Sequence, residues 1–429
     1  MQREAIEREL VEAGSRDDGT GKGIVLPAYD DYSFANVTES LLALHDSSFD
    51  RRLPGDVFRG VETDVDHVVC VLLDGFGYDH WRRVRGDRDL LTLFEDRGAL
   101  TPLTSVYPSE TAAAITTHHT GRTPLEHGLL GWFQYLDPPG VDALALPFTS
   151  LDGTPLAESA PDLSSDDLFD GTGIYERAVD RGIDAHAVLP ESLAESEFSR
   201  AVTAGAERTG YPEAGTFART IRRVLERATA PSYVHAYEPT IDAIAHAEGT
   251  RTERSRSAIA DICTGLKTEL VDAIGPALAE RTLLVVTADH GIVDTIPSEN
   301  VDLSASSEWS ALQESFRSDD EGDPRQPTGS PRNAHFHVRP NRRSTAQELL
   351  ESAVDGLVFD REDAIEQGLF GTGVPGELFE RRCGDLIAVH RNRGLCWRSA
   401  DTELVGMHGG LTREEMLVPF AAARIVQLR

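Results

Sequence analysis

"TLLVVTADHG", residues 282–291, runs six strand-forming residues directly into Ala288, an aspartate, a histidine and a glycine. A short Leu/Val-rich run ended by glycine reads as a buried strand. Burying a carboxylate and an imidazole is costly unless something pairs with them. Asp289 and His290 are therefore expected to hold a partner where the strand gives out. "HVVCVLLDG" (67–75) repeats the pattern, with Asp74 at the end of a second apolar run.

Working outward, strand patterns occur in "ALTPLTSVYP" (99–108), "IDAHAVLP" (183–190) and "PSYVHAYEP" (231–239). Between them lie helical patterns: "TAAAITTHHTG" (111–121) with Gly121 as its stop, then 214–229 and 253–279. The alternation predicts an α/β fold with a mostly parallel central sheet and helices on both faces. In such sheets ligands sit beyond the carboxyl ends of the strands.

Two segments depart from the alternation. Residues 134–172 read as a long loop rich in Pro, Gly and Asp, and 296–332 as a polar one; either is suited to a lid. Residues 333–395 read as a small α+β piece. The expected division is a catalytic core of 1–295 and 396–429, with 296–395 as an irregular loop plus a small α+β insertion or lid.

The chain has 429 residues and a formal charge of −31, and Lys22 and Lys267 are its only lysines. So acidic a surface argues against stable nucleic-acid binding, which needs a basic footprint. It fits a protein of a salt-rich cytosol, where screening mutes self-repulsion. "MQREAIERELVEAG" at the start is a charged amphipathic helix without an apolar signal region, so a cytoplasmic, non-membrane location is expected. Cys70, Cys263, Cys383 and Cys396 are widely spaced and read as reduced thiols. The oligomeric state is not legible.

Asp242 and His246 in "IDAIAHAEG" stand four apart and share a helix face. His408 lies in the glycine-flanked "GMHGGLT". With Asp74, Asp289 and His290 they make three carboxylates and three imidazoles, a donor set suited to zinc or another first-row divalent ion. Six ligands exceed one tetrahedral ion and suit two, a pair that stabilises entering and leaving oxygens in phosphoryl displacement. Thr111 opens a helix, where anions are favoured, and metal coordination can activate its hydroxyl.

These residues resemble the alkaline phosphatase superfamily, in its type I phosphodiesterase/nucleotide pyrophosphatase branch. "VLLDGFG" matches the strand-Asp-Gly motif and "YPSETAAAITTHHTG" the nucleophile motif. "PLEHG", "DAIAH", "ADHG" and "GMHGG" follow in the family's order across 68–410. The resemblance implies that Asp74, Asp289 and His290, with Thr111, hold one ion, and that Asp242, His246 and His408 hold the second. It also implies a covalent phosphoryl- or nucleotidyl-threonine, two divalent ions (Zn2+ by default, Mn2+ as the alternative) and a small phosphate ester or nucleotide as substrate.

One departure stands out. Where eukaryotic-type pyrophosphatases of the family place an asparagine that donates to phosphate, this chain has Trp132, a candidate substrate contact through its flat face. Beside Thr111 stands Glu110 and no arginine of the kind that clamps a monoester dianion. The leading expectation is thus a phosphodiesterase or nucleotide pyrophosphatase. The alternatives are a phosphomonoesterase or phosphonate hydrolase on the same core, and a degenerate metal-binding module. His118, His119 and His127 read as structural. Arg332 and His335 in "PRNAHFHV" are within sequence reach of a substrate, although His335 and His337 at strand spacing more simply read as packing.

Overall fold

The computed structural model describes residues 2–14, 23–319, 321–397 and 402–429. A first seven-stranded sheet carries the apolar runs singled out above. In spatial order its strands are Ala99–Thr104, Leu417–Arg424, Thr282–Thr287, His67–Leu73, Ser232–Glu238, Asp184–Pro190 and Glu207–Tyr211. The pairings from 282–287 across to 207–211 are parallel. The 417–424 strand runs antiparallel to both its neighbours, so the sheet is mixed at that side. The central 67–73 and 232–238 strands are buried along their whole length, as strands covered on both faces are.

The strand, helix and strand read in 333–395 are present as Asn333–Phe336, Arg343–Ala353 and Leu386–His390, and both strands belong to a second seven-stranded sheet. Its order is Gly356–Asp360, Leu386–His390, Asn333–Phe336, Thr328–Ser330, Phe133–Leu136, Val141–Leu144 and Thr149–Ser150, every pairing antiparallel. This corrects the reading of 134–172 as an irregular loop: three short strands from 133–150 join strands from 328–390. The 296–332 segment likewise contains a short helix, Trp309–Gln313, and one strand of that sheet. The helix at 343–353 packs on the same unit through Ala346 and Leu350, as its apolar spacing requires.

A buried ion pair ties the two sheets together. Arg332, in the turn between two strands of the second sheet, places Nε 2.5 Å from Glu415 Oε1 and Nη2 2.8 Å from Oε2. Both side chains are fully buried. Arg332 also donates to the carbonyls of His390, Arg391 and Arg393, so its guanidinium is engaged inside the protein and is not offered to a substrate. His335 is buried too, its Nδ1 accepting from the Gly384 N–H at 3.1 Å. Neither residue lines the cavity described below.

No helix among the described residues is long and apolar enough to cross a membrane.

Candidate active site

The carboxyl ends of adjacent strands bring the sequence candidates together. Asp74 follows the 67–73 strand, and Asp289 and His290 follow its parallel neighbour 282–287. The turn after Asp74 depends on Gly75, whose φ of +69° suits glycine. A Cβ there would stand 2.5 Å from Ile292 Cδ1 and 3.1 Å from Asp242 Cβ, so the missing side chain lets the Asp242 helix approach. Asp242 and His246 lie one turn apart on the helix Thr240–Glu248, with 3.3 Å between Asp242 Oδ2 and His246 Nε2.

Two histidines have their tautomers fixed by backbone carbonyls, which can only accept. His246 Nδ1 donates to Gly406 at 2.8 Å, and His290 Nδ1 to Gly291 at 3.1 Å. Both Nε2 atoms therefore face inward. His290 Nε2 lies 3.1 Å from Thr111 Oγ1, 3.3 Å from Asp74 Oδ1 and 3.4 Å from Asp289 Oδ2. His246 Nε2 lies 3.1 Å from His408 Nε2, which is 3.7 Å from Asp242 Oδ1. His408 stacks on His290 with ring centroids 3.8 Å apart.

The donor atoms fit cations. Asp74 Oδ1, Asp242 Oδ1 and Asp289 Oδ2 are buried and accept no hydrogen bond. Such orphaned acceptors are expensive in a protein interior unless a positive charge faces them. Donor atoms of Asp74, Asp289 and His290 converge in one group, and those of Asp242, His290 and His408 in another. Zinc-type coordination by mixed oxygen and imidazole donors matches both sets. His246 completes the second cluster through its contacts with Asp242 and His408.

The acids also repel one another. Burial, then the charges of Asp289 and Asp242, push the Asp74 carboxyl well above its usual range, while the Tyr237 hydroxyl donates to its Oδ2. Burial raises Asp289 as well, opposed by His290. Burial opposes ionisation of Asp242, but the histidines outweigh it and hold the carboxyl below its usual range. His246 is the counterpart: burial disfavours its cation, Asp242 favours it more, and its pKa rises to about 9. A cluster so rich in competing carboxylates is suited to bound positive charge.

Thr111 is the first residue of the helix Thr111–Thr120, which ends at Gly121 in the left-handed region as its sequence predicts. The cap is Glu110, a residue whose role the sequence did not disclose. Its buried carboxylate accepts from the Ala112 N–H at 3.1 Å and the Trp132 N–H at 2.9 Å. Burial pushes it up to about 7 against those two donors. The signal was present as an acid at an N-cap position; its like charge to a phosphate concealed it. His118, His119 and His127 are buried and bonded within the protein, to Thr38 and His235, Tyr175, and Thr117 respectively.

Thr111, Asp242, His246 and His408 open onto a cavity of about 360 Å³, within the range of small-ligand sites. Its far wall comes from the second sheet and the 404–407 segment. Trp132, the sequence candidate, stands on that wall and is 36 % exposed. Gly131 holds it there by lying against Gly329, where a Cβ would come within 2.5 Å of backbone.

The sequence model of the family described as type I phosphodiesterase / nucleotide pyrophosphatase matches residues 68–411. No curated protein sequence matches the chain. Among solved structures, murine ectonucleotide pyrophosphatase / phosphodiesterase 5 is 16% identical with a TM-score of 0.61, covering 83% of this chain and 87% of that one. An inactive variant of the murine protein, in complex with AMP, is 17% identical with a TM-score of 0.60 over 83% and 87%. Phosphonoacetate hydrolase from Sinorhizobium meliloti 1021, in complex with phosphonoformate, is 18% identical with a TM-score of 0.60, covering 83% and 89%. These likenesses establish a shared fold.

Proposed function

We propose, on the premise that the chain belongs to the type I phosphodiesterase/nucleotide pyrophosphatase family, that it hydrolyses phosphodiesters through the Thr111 hydroxyl and a pair of divalent cations. Membership makes it a phosphoric ester hydrolase. The observation that carries the finer reading is the gathering of Asp74, Asp242, His246, Asp289, His290 and His408 at one site, with Thr111 Oγ1 3.1 Å from His290 Nε2 and three buried carboxylate oxygens left without a donor.

Asp74, Asp289 and His290, with Thr111, would hold one ion; Asp242, His246 and His408 would hold the other. Zinc is the first choice, manganese the second. Bound there, the pair supplies charge neutralisation at phosphorus and lowers the pKa of the Thr111 hydroxyl. The chain itself does the positioning. Glu110 caps the helix start and so fixes Thr111 toward His290. In the first step Thr111 Oγ1 forms a bond to phosphorus while the bond to one ester oxygen breaks, and that oxygen leaves as the alcohol after taking up a proton. Water then displaces Oγ1, restoring the threonine and releasing the monoester.

Diesters are favoured over monoesters because, among the described residues, no lysine or arginine lines the cavity to clamp a dianion. The murine relative captured with AMP supports a nucleotide as one substrate type. A phosphonate hydrolase is the second reading, since a phosphonoacetate hydrolase is as similar in fold as the pyrophosphatase. The charge of −31 supports a protein working in a salt-rich cytosol. Metal analysis of the purified protein tests the proposal, with two divalent ions per chain expected. Thr111→Ala is expected to keep the fold and lower hydrolysis of bis(4-nitrophenyl) phosphate about 10³-fold or more. Unchanged hydrolysis in that variant would rule out the threonine mechanism.

A further inference from the structure

We infer that the cavity beside Asp242, His246 and His408 receives an uncharged organic arm, an alkyl or aryl alcohol, so that the enzyme cleaves diesters with organic leaving groups in preference to pyrophosphates. The inference rests on the proposed reaction and narrows its substrate.

Three independent observations carry it. The cavity lining includes Trp132, Phe133, Pro331, Leu404 and Met407, apolar groups that offer a ring or alkyl chain contact area and a triphosphate tail nothing. The acidic groups at its edge are Glu110 and Asp242, and among the described residues no lysine or arginine lines it. A departing pyrophosphate brings several negative charges, of which the cations would meet only the oxygens nearest phosphorus. The remainder would face two carboxylates and an apolar wall, an arrangement that costs binding free energy.

The third observation is the use of the helix start. N–H groups at a helix N-terminus are ready donors to phosphate oxygens. Here Glu110 already occupies the Ala112 N–H, and its other oxygen occupies the Trp132 N–H. Two donors that could have stabilised additional phosphate are thereby committed within the protein, and a fixed carboxylate stands in front of them.

In the reaction so narrowed, the bond from phosphorus to the arm's oxygen breaks as the bond to Thr111 Oγ1 forms. The arm departs as a neutral alcohol with one proton, and water completes the cycle to a monoester. With a triphosphate the same step would release pyrophosphate.

The test compares two substrates sharing a retained arm: the phenyl ester of a nucleoside 5′-monophosphate and the corresponding nucleoside 5′-triphosphate, each with the full-length metal-loaded enzyme. The anhydride is the more reactive bond, so a preference for the ester comes from the site. The phenyl ester is expected to show kcat/KM about 100-fold higher. Trp132→Arg, at a partly exposed position, is expected to shrink that ratio about tenfold or more by raising triphosphate turnover. Leu404→Arg provides the same change from a second position should the first variant fold poorly. Equal or faster cleavage of the triphosphate by the unmodified enzyme overturns the inference and leaves the proposed reaction standing, as does a ratio that neither arginine moves. Failure of the metal-loaded enzyme to cleave any diester instead removes the proposed reaction, and the inference with it.

Discussion

The strands of the first sheet stop where Asp74 and Asp289 begin, whereas those of the second run along the cavity and give it Trp132, Phe133 and Ser330. Parallel strands end together on one side, so their ends can gather reactive groups from residues far apart in sequence. Antiparallel strands offer a side, and a side is a wall. The difference separates two tasks: the first sheet concentrates charge and the second shapes what is admitted beside it. The join between them is Arg332 with Glu415. Glu415 accepts from the Gly410 N–H at 2.9 Å, two residues beyond His408, so the wall and a candidate metal ligand share one fastening.

Breaking that fastening is the largest structural effect expected. Arg332→Met leaves Glu415 buried without its partner and is expected to cost about 3–5 kcal/mol of stability. Urea denaturation measures it. The double variant Arg332→Met, Glu415→Leu is expected to recover most of the loss, because removing both charges removes the desolvation penalty. If the single variant is as stable as the parent, the two sheets are held by packing alone.

Acid sharpens the comparison because both regions carry buried neutral histidines. His118 and His127 near the first sheet, and His335 and His390 in the second, are each pushed down to about 3 by burial. Unfolded, each would take up a proton near 6.5. Above that pH both states are neutral and stability is complete. As pH falls from 6.5 toward 3 only the unfolded chain binds the proton, so stability falls by at most about 1.4 kcal/mol per pH unit for each histidine. Denaturation midpoints measured between pH 7 and 4 are expected to decline, and His335→Gln to flatten the slope by about one proton. An unchanged slope would place the acid sensitivity elsewhere.

The smallest effect belongs to the wall. Trp132→Ala removes a partly exposed side chain and is expected to change stability by less than about 0.5 kcal/mol. It should raise KM for an aryl diester more than it lowers kcat, since the indole is expected to contact the arm and not the reacting atoms. A variant that loses kcat with KM intact would move Trp132 from wall to reaction centre.

The centre of the first sheet was legible in the sequence because 67–73 and 282–287 are apolar runs that end abruptly in Asp, His or Gly, whereas 207–211 and 417–424 were not read as strands. A buried carboxylate after "VLL" or "LLVVTA" has few explanations. The second sheet was not. Its strands at 133–150 are two to four residues long, separated by "DPPG" and "ALPF" and followed by "DGTP", so turn residues outvoted strand residues. Their partners at 328–390 lie some two hundred residues away, and no local pattern encodes that pairing. Glu110 was hidden for another reason: its meaning lies in two backbone N–H groups, one of them from Trp132, brought to it only by the fold. Arg332 looked available because sequence shows a charge and not its burial.

The 417–424 strand has a consequence for how the enzyme is made. Among the described residues it is the sole strand partner of 99–104, which leads into Thr111, and it joins that strand to 282–287. On the ribosome, the segment leading into Thr111 therefore waits some three hundred residues for its neighbour. Until then 282–287 presents an unsatisfied apolar edge, a ready point for misassembly between nascent chains. Synthesis must pass beyond Arg424 before the hydroxyl and its ligands can share one scaffold, so an incomplete translation product is an aggregation hazard and not a slower enzyme.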